Sequence, residues 1–300
     1  VSNQGLPYGY ELQFRLKFAE GRGIAFQDFF NDLMERRDPG FRRVRPWGNQ
    51  GDRKNDGWSP ASRTLFQVYA PTSFKASDLS RKLTEDFDGA EDYWEHHFDT
   101  WVFVHNDIDG LAPEVELKVA ELDQRNENIT CISWGREQIR RELVQLQDAD
   151  LTAVLGPPIT DVQFLSVSAA SLQPLFEHLD VAALSPDARE IGPVPVDKIE
   201  RNGLGDAQTR LLTLGEAKMQ LVDQYLTRVS PLPSYQSDVS LVFAEKYGEL
   251  RETLDNADDI FDNLVAWLTA GVVKADRLVN AVTVLAYFFF TCQIFEEEGL

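Results

Sequence analysis

The chain has 300 residues, 43% of them hydrophobic and 11% aromatic, enough to build about two globular domains, which excludes both a short peptide scaffold and a disordered acidic tail. Its net charge of -20 disfavours general binding to nucleic acid, because an acidic surface repels polyphosphate. Two cysteines, Cys131 and Cys292, both in apolar surroundings, exclude a disulfide framework and suit a reducing cytoplasm; no basic stretch followed by an apolar run of the signal-peptide kind is visible at Val1 to Gly5.

The charge is unevenly spread. Residues 1–75 hold twelve Lys and Arg against eight Asp and Glu, a net +4, which leaves -24 for residues 76–300. A basic strip at Arg36, Arg37, Arg42, Arg43 and Arg45 could accept phosphate locally, or could simply solvate a helix end and an edge strand.

In chain order, Glu11 to Ala19 alternates so that Leu12, Phe14, Leu16 and Phe18 share one side, which predicts a strand. Ile24 to Arg36 has helical spacing and ends at Asp38-Pro39-Gly40. A short strand is expected at Phe41 to Arg45, a polar glycine-rich loop from Pro46 to Trp58, and a strand from Thr64 to Ala70. Then the pattern alternates: a charged helix within Ser77 to Asp88 that extends toward His97, a strand at Trp101 to His105, a helix at Pro113 to Arg125, a strand at Ile129 to Trp134 and a helix at Arg136 to Leu146. Strands separated by helical segments imply right-handed crossovers onto a mixed, mostly parallel sheet. The first domain is therefore α/β and closes near Gly156-Pro157-Pro158.

Beyond Ile159 the composition changes, and proline-bearing stretches at Ser185-Pro186 and Gly192 to Pro195 read as a connecting region. Helices follow at Leu204 to Arg228, at Ser237 to Leu254 with Asp238 as its cap, at Asp258 to Thr269 and at Asp276 to Phe295. The last is apolar nearly all round at Ala281 to Phe295, yet too short and interrupted to cross about 30 Å of hydrocarbon, so it reads as a core helix. The expected division is 1–156 as an α/β domain, 157–197 as a linker and 198–300 as a helical domain.

The candidate chemistry lies in the first domain. Asp56 sits in a turn about ten residues before a strand whose alternation aims Gln67 and Tyr69 to one side, where both could face a divalent ion held by Asp56. With Phe26-Gln27 on the preceding helix, Gly51 to Gly57 and Phe66-Gln67-Val68-Tyr69 give a pattern that resembles the restriction-endonuclease fold of the PD-(D/E)xK class, Mrr branch. The resemblance implies Gln27 at the helix position, Asp56 as metal ligand with Asp52 beside it, and Gln67 at the Glu/Gln position, around Mg2+ or Mn2+. It implies a lysine where Tyr69 stands; a phenol of pKa near 10 is neither a lasting cation nor a good base, so Lys54, or Lys75, would have to reach in. Arg42, Arg43, Arg45 and Arg53 would then contact DNA.

Lesser candidates are His96-His97, whose adjacent rings cannot share one metal from a helix, and His105, which ends a buried strand beside Asn106 and Asp107 where α/β sheets often carry functional groups. No glycine-rich phosphate loop with Lys-Ser/Thr is present, so the chain is not itself a P-loop ATPase.

The second half resembles the C-terminal domain of ABC-three-component defence systems at Lys198 to Leu204, Val222-Asp223-Gln224-Tyr225, Phe243 to Tyr247 and Ala286 to Glu296, and the first half resembles proteins bearing that domain at Trp101 to Asn106 and Leu155-Gly156-Pro157. The resemblance implies an anti-phage effector joined to an SMC-like ABC ATPase, often with a small middle component, with self-association through the same helices as a further option. Two functions are open: a metal-dependent DNA nuclease released by the ATPase, or a catalytically degenerate adaptor that holds nucleic acid or a partner.

Overall fold

The computed structural model describes residues 5–44, 55–71, 76–177, 179, 198–230, 233–291 and 294–295. Its contacts divide the chain into two compact units, one of Val1–Leu6 with Lys17–Leu155 and one of Pro7–Leu16 with Gly156–Leu300.

The first unit is α/β. Its sheet contains β1 (Arg42–Arg43), β2 (Gly57–Ser59), β3 (Thr64–Tyr69), β4 (Thr100–His105) and β5 (Thr130–Trp134), in that spatial order. β1, β2 and β3 are antiparallel neighbours, whereas β3, β4 and β5 run parallel, so the sheet is mixed. The parallel pairs need crossovers, which α3 (Ala76–Trp94) and α4 (Pro113–Arg125) supply. Leu65, Trp101, Phe103 and Cys131 face these two helices and pack on Leu83, Phe87, Val115 and Val119. On the other face lie α2 (Ile24–Arg37) and α5 (Arg136–Val144): Phe30 of α2 meets Phe66 at 5.5 Å and Trp134 at 6.5 Å. α6 (Asp148–Leu155) closes the unit against α2 through an Arg36–Asp150 pair at 3.8 Å.

Two expectations are corrected here. Glu11 to Ala19 is not a strand but most of helix α1 (Tyr8–Glu20). Gln13 between the alternating apolar positions is as buried as they are, so the helix is enclosed on most sides and its alternation carries no period. The segment also lacks any β-branched residue and is rich in straight-chain helix formers such as Glu11, Gln13, Arg15 and Lys17. The glycine-rich loop does not run to Trp58, because Gly57–Ser59 pairs with strands on both sides. Its segment 45–54 lies outside the described residues.

The second unit is helical: α7 (Asp161–Leu165), α8 (Ala169–Phe176), α9 (Lys198–Arg201), α10 (Asp206–Glu216), α11 (Met219–Val229), α12 (Pro233–Arg251), α13 (Ala257–Thr269) and α14 (Ala275–Thr291). α7 and α8 are packed helices within the stretch expected to be linker, each with a Thr160 or Ser168 N-terminal cap box; the proline-bearing stretches fall outside the described residues. The expected single helix from Leu204 to Arg228 is two, because Gly215 lies so close to α14 that a Cβ there would stand 2.8 Å from the Ala286 side chain, and the chain turns at Ala217-Lys218. α12 starts at Pro233, a residue suited to a first turn, so Asp238 lies within it rather than at its cap. α14 is the core of the unit, with Leu278 through Phe289 largely buried.

Candidate functional site

Because β2 is antiparallel to β3, the start of β2 lies at the same sheet end as the C-terminal ends of β3, β4 and β5. Asp56 occupies that start. Its backbone is fixed on both sides: its N–H donates to the Phe66 carbonyl at 2.8 Å, and its carbonyl accepts from the Val44 N–H at 3.0 Å. Its side chain is 5% exposed and fixed as well, with Oδ2 accepting from the Val68 N–H at 2.7 Å and Oδ1 from Gln27 Nε2 at 2.5 Å. Gln27 reaches it because the Gly23 N–H donates to the Ala70 carbonyl at 2.7 Å, which begins α2 at this end of the sheet.

The next residue makes the approach. A Cβ on Gly57 would stand 2.4 Å from the Phe41 ring, which packs edge-on against Phe66 at 5.9 Å. Gly57→Ala is therefore expected to displace Phe41 and to cost about 1–3 kcal/mol in urea unfolding, as overpacked interiors do.

Gln67 and Tyr69 turn the other way. They share the face of β3 that carries Leu65, and Gln67 is paired in register with Phe103. The Tyr69 ring lies 6.0 Å from Phe103, and Lys82 of α3 places its Nζ 5.5 Å from the centre of the Tyr69 ring while bonding the fully buried Asp86 at 2.6 Å. Gln67 is 5% exposed, and its Oε1 has no hydrogen-bond partner among the described residues. The structure thus joins Gln27 to Asp56 by a direct hydrogen bond and places Gln67 and Tyr69 on the face of β3 that carries Leu65. Asp52, Arg53, Lys54 and Lys75 lie outside the described residues, as does Arg45. Lys82 and Asp86 escaped the sequence reading, although their spacing of four residues beside Leu79, Leu83 and Phe87 placed them together on the flank of an apolar stripe.

Around Asp56 the described residues do not fit a divalent ion. No group of three or more His, Cys, Asp or Glu side chains converges among them, and both Asp56 oxygens already accept protein N–H groups.

The basic strip is largely neutralised within the fold. Arg43 is held by Asp32, by Glu35 at 2.6 Å and by Asp28 at 3.5 Å, while Arg37 meets Glu142 at 2.8 Å. Arg42 is exposed, its guanidinium 5.4 Å over the Trp58 ring, an arrangement that offers a cation and an aromatic face together. His96 is exposed beside Glu95, and the His97 ring meets Trp58 at 6.0 Å.

A mixed α/β sheet unit with a fixed, buried carboxylate, followed by an apolar-cored helical unit, defines a two-part protein whose second part is built for packing. Residues 170–296 of that second part match the model of C-terminal domain 10 of the ABC-three component systems, which supports a component of such a system. Neither curated proteins nor solved structures gave a match. Among the described residues no helix is long and apolar enough to cross a membrane.

Proposed function

We propose that the chain is a component of an ABC-three-component anti-phage system in which the helical unit docks an SMC-like ATPase and the α/β unit holds nucleic acid or a partner without cutting it. The observation that carries this reading is the commitment of Asp56. Its two oxygens serve as acceptors for Gln27 and for the Val68 amide, a structural use, while the residues at the Glu/Gln and Lys positions of the nuclease pattern, Gln67 and Tyr69, face α3 instead.

A second reading, magnesium- or manganese-dependent cleavage of DNA, is favoured by the Gln27–Asp56 contact, which joins two positions of the nuclease pattern. It requires Asp52 to add a second carboxylate. A bound ion would supply Lewis-acid polarisation of the scissile phosphate.

The two readings separate on supercoiled plasmid incubated with the full chain and its ATPase partner in Mg2+ or Mn2+, wild type against Asp56→Asn. Asparagine keeps an oxygen for the Val68 N–H, so the fold is retained. Equal, background-level nicking by both supports the holding role; cleavage by the wild type that Asp56→Asn abolishes overturns it. Asp56→Ala, by contrast, leaves the Val68 N–H without its acceptor and is expected to cost about 1–3 kcal/mol in urea unfolding whichever reading holds.

A further inference from the structure

The chain carries 49 Asp and Glu against 29 Lys and Arg, so a cation in it folds among carboxylates in excess. In the helical unit Arg15 is matched by Asp259 and Asp262, Arg210 by Asp161 and Lys246 by Glu249. Two cations at the start of α14 are not matched. Lys274 is exposed, Arg277 is half-buried with its Nε enclosed and lacking an acceptor, and neither side chain has an ion pair or hydrogen bond among the described residues. The Leu278 N–H donates to the Lys274 carbonyl at 2.9 Å, so the two residues bracket the first turn of the helix. A helix start disfavours cations, which leaves Asp276 between them as the one charge there that serves the helix. Neither an internal pair nor helix stability accounts for Lys274 and Arg277.

The turn that presents them is fixed. α13 ends with Ala270 and Gly271 in the left-handed region, at φ 51° and 72°, where the Gly271 N–H donates to the Ala266 carbonyl at 2.9 Å and the Val272 N–H to the Thr269 carbonyl at 3.1 Å. A non-glycine residue in that region is held by its surroundings. The turn leaves Val272 37% exposed, two residues before Lys274. One hydrogen-bonded connection thus carries an outward apolar side chain and two cations without carboxylates, a preset contact that loses little freedom on binding.

Those features select among partners. Residues 76–300 carry a net charge of -24, so the phosphates of a nucleic-acid backbone running past the two cations would meet an acidic field. A short acidic stretch of protein stays within about 8 Å of the cations, the reach of charge at physiological salt, and can add an apolar side chain against Val272. The planar guanidinium of Arg277 suits a carboxylate, which would take two parallel N–H groups. We propose that the Val272–Arg277 corner is where the helical unit receives an acidic segment of its partner protein, carboxylates on Lys274 and Arg277 and an apolar side chain on Val272. The proposal rests on the reading that this unit docks a partner.

The affinity of the full chain for the proposed ATPase partner, measured by biolayer interferometry, tests it through three charge reversals of equal size. Lys274→Glu and Arg277→Glu are each expected to raise the Kd at least about tenfold and to flatten its salt dependence. Lys218→Glu, at another cation without an ion pair among the described residues, should leave the Kd within about twofold. Unchanged urea midpoints verify folding, and the exposed Lys274 keeps the test decisive where Arg277→Glu does not fold. Wild-type affinity in the Lys274 and Arg277 variants, or equal weakening by Lys218→Glu, overturns the proposal. So does loss of binding to a DNA duplex in the two variants with partner affinity unmoved. A wild-type chain that binds no partner fails the docking reading itself and this proposal with it, whereas partner binding that the variants leave intact fails this proposal alone.

Discussion

Replacing Arg15 by alanine is expected to lower the stability of the chain by about 3–5 kcal/mol, the usual result of stripping one partner from a buried ion pair. Arg15 lies on α1 and serves two carboxylates of α13: its Nη2 meets Asp259 at 2.7 Å and its Nε bonds Asp262. Asp262 is fully buried and receives a further bond from Gln208 Nε2 at 3.2 Å. Without the guanidinium, two buried carboxylates would face one another with Asp258 close by. Lysine at 15 should recover only part of the loss, because a single ammonium cannot present the planar fork that spans both acids. A midpoint in urea that hardly moves in Arg15→Ala would show that the pair is compensated elsewhere.

The same cluster sets a pH dependence. Burial, with a smaller push from Asp258, outweighs Arg15 and raises the Asp262 carboxyl from 3.8 to about 6. The folded chain then holds this proton more tightly than the unfolded one, so the group's contribution to stability is full below the unfolded value of 3.8 and is lost as pH rises through about 6. A shift of this size corresponds to roughly 3 kcal/mol. Asp262→Asn removes the titration and keeps an oxygen for Arg15. The variant should match the wild type near pH 4 and exceed its stability above pH 6; parallel stability curves for the two proteins would contradict this.

How far the sequence could be read follows from what each segment's neighbours demand. β3, β4 and β5 were legible because aromatic and β-branched runs such as Trp101-Val102-Phe103-Val104 have few other ways to bury themselves, and the helices between them carry one apolar stripe each. α1 was not, since a helix enclosed on most sides has no polar face to betray its period. At the candidate site, the approach of Gln27 and Asp56 was legible from their elements, yet the face that Gln67 and Tyr69 take was not. Alternation fixes that the two agree with each other; only the packing of Leu65 and Phe103 against α3 and α4 decides which helix layer they meet. His105 was legible as a strand-end histidine, but the bond its Nδ1 accepts from the Asp107 N–H and its close fit against the backbone of Gly135 were not, because a pattern of residue types specifies neither.

Phe288→Ala is expected to be as damaging as the loss of Arg15, at about 3–5 kcal/mol, the range for emptying a buried phenylalanine site. Phe288 is fully buried on α14 and stacks on Phe243 of α12 at 3.9 Å, and Phe243 in turn meets Trp267 of α13 edge-on at 5.1 Å. The Phe243 ring therefore joins three helices and loses its stacking partner when Phe288 is truncated, whereas Phe288→Leu, which keeps most of the volume, should cost less than half as much. The position also says what the apolar helix is for. Its phenylalanines face inward, so they serve the fold of the helical unit, and any docked partner must meet other residues, among which Val229 and Val272 present apolar side chains outward. Val229→Ser and Val272→Ser should leave the urea midpoint within about 0.5 kcal/mol of wild type. If co-purification with the proposed ATPase partner is lost in these two variants while their midpoints hold, the docking surface is the exposed one. If Phe288→Ala instead breaks the complex with no change in midpoint, α14 contacts the partner directly and its reading as a core helix is wrong.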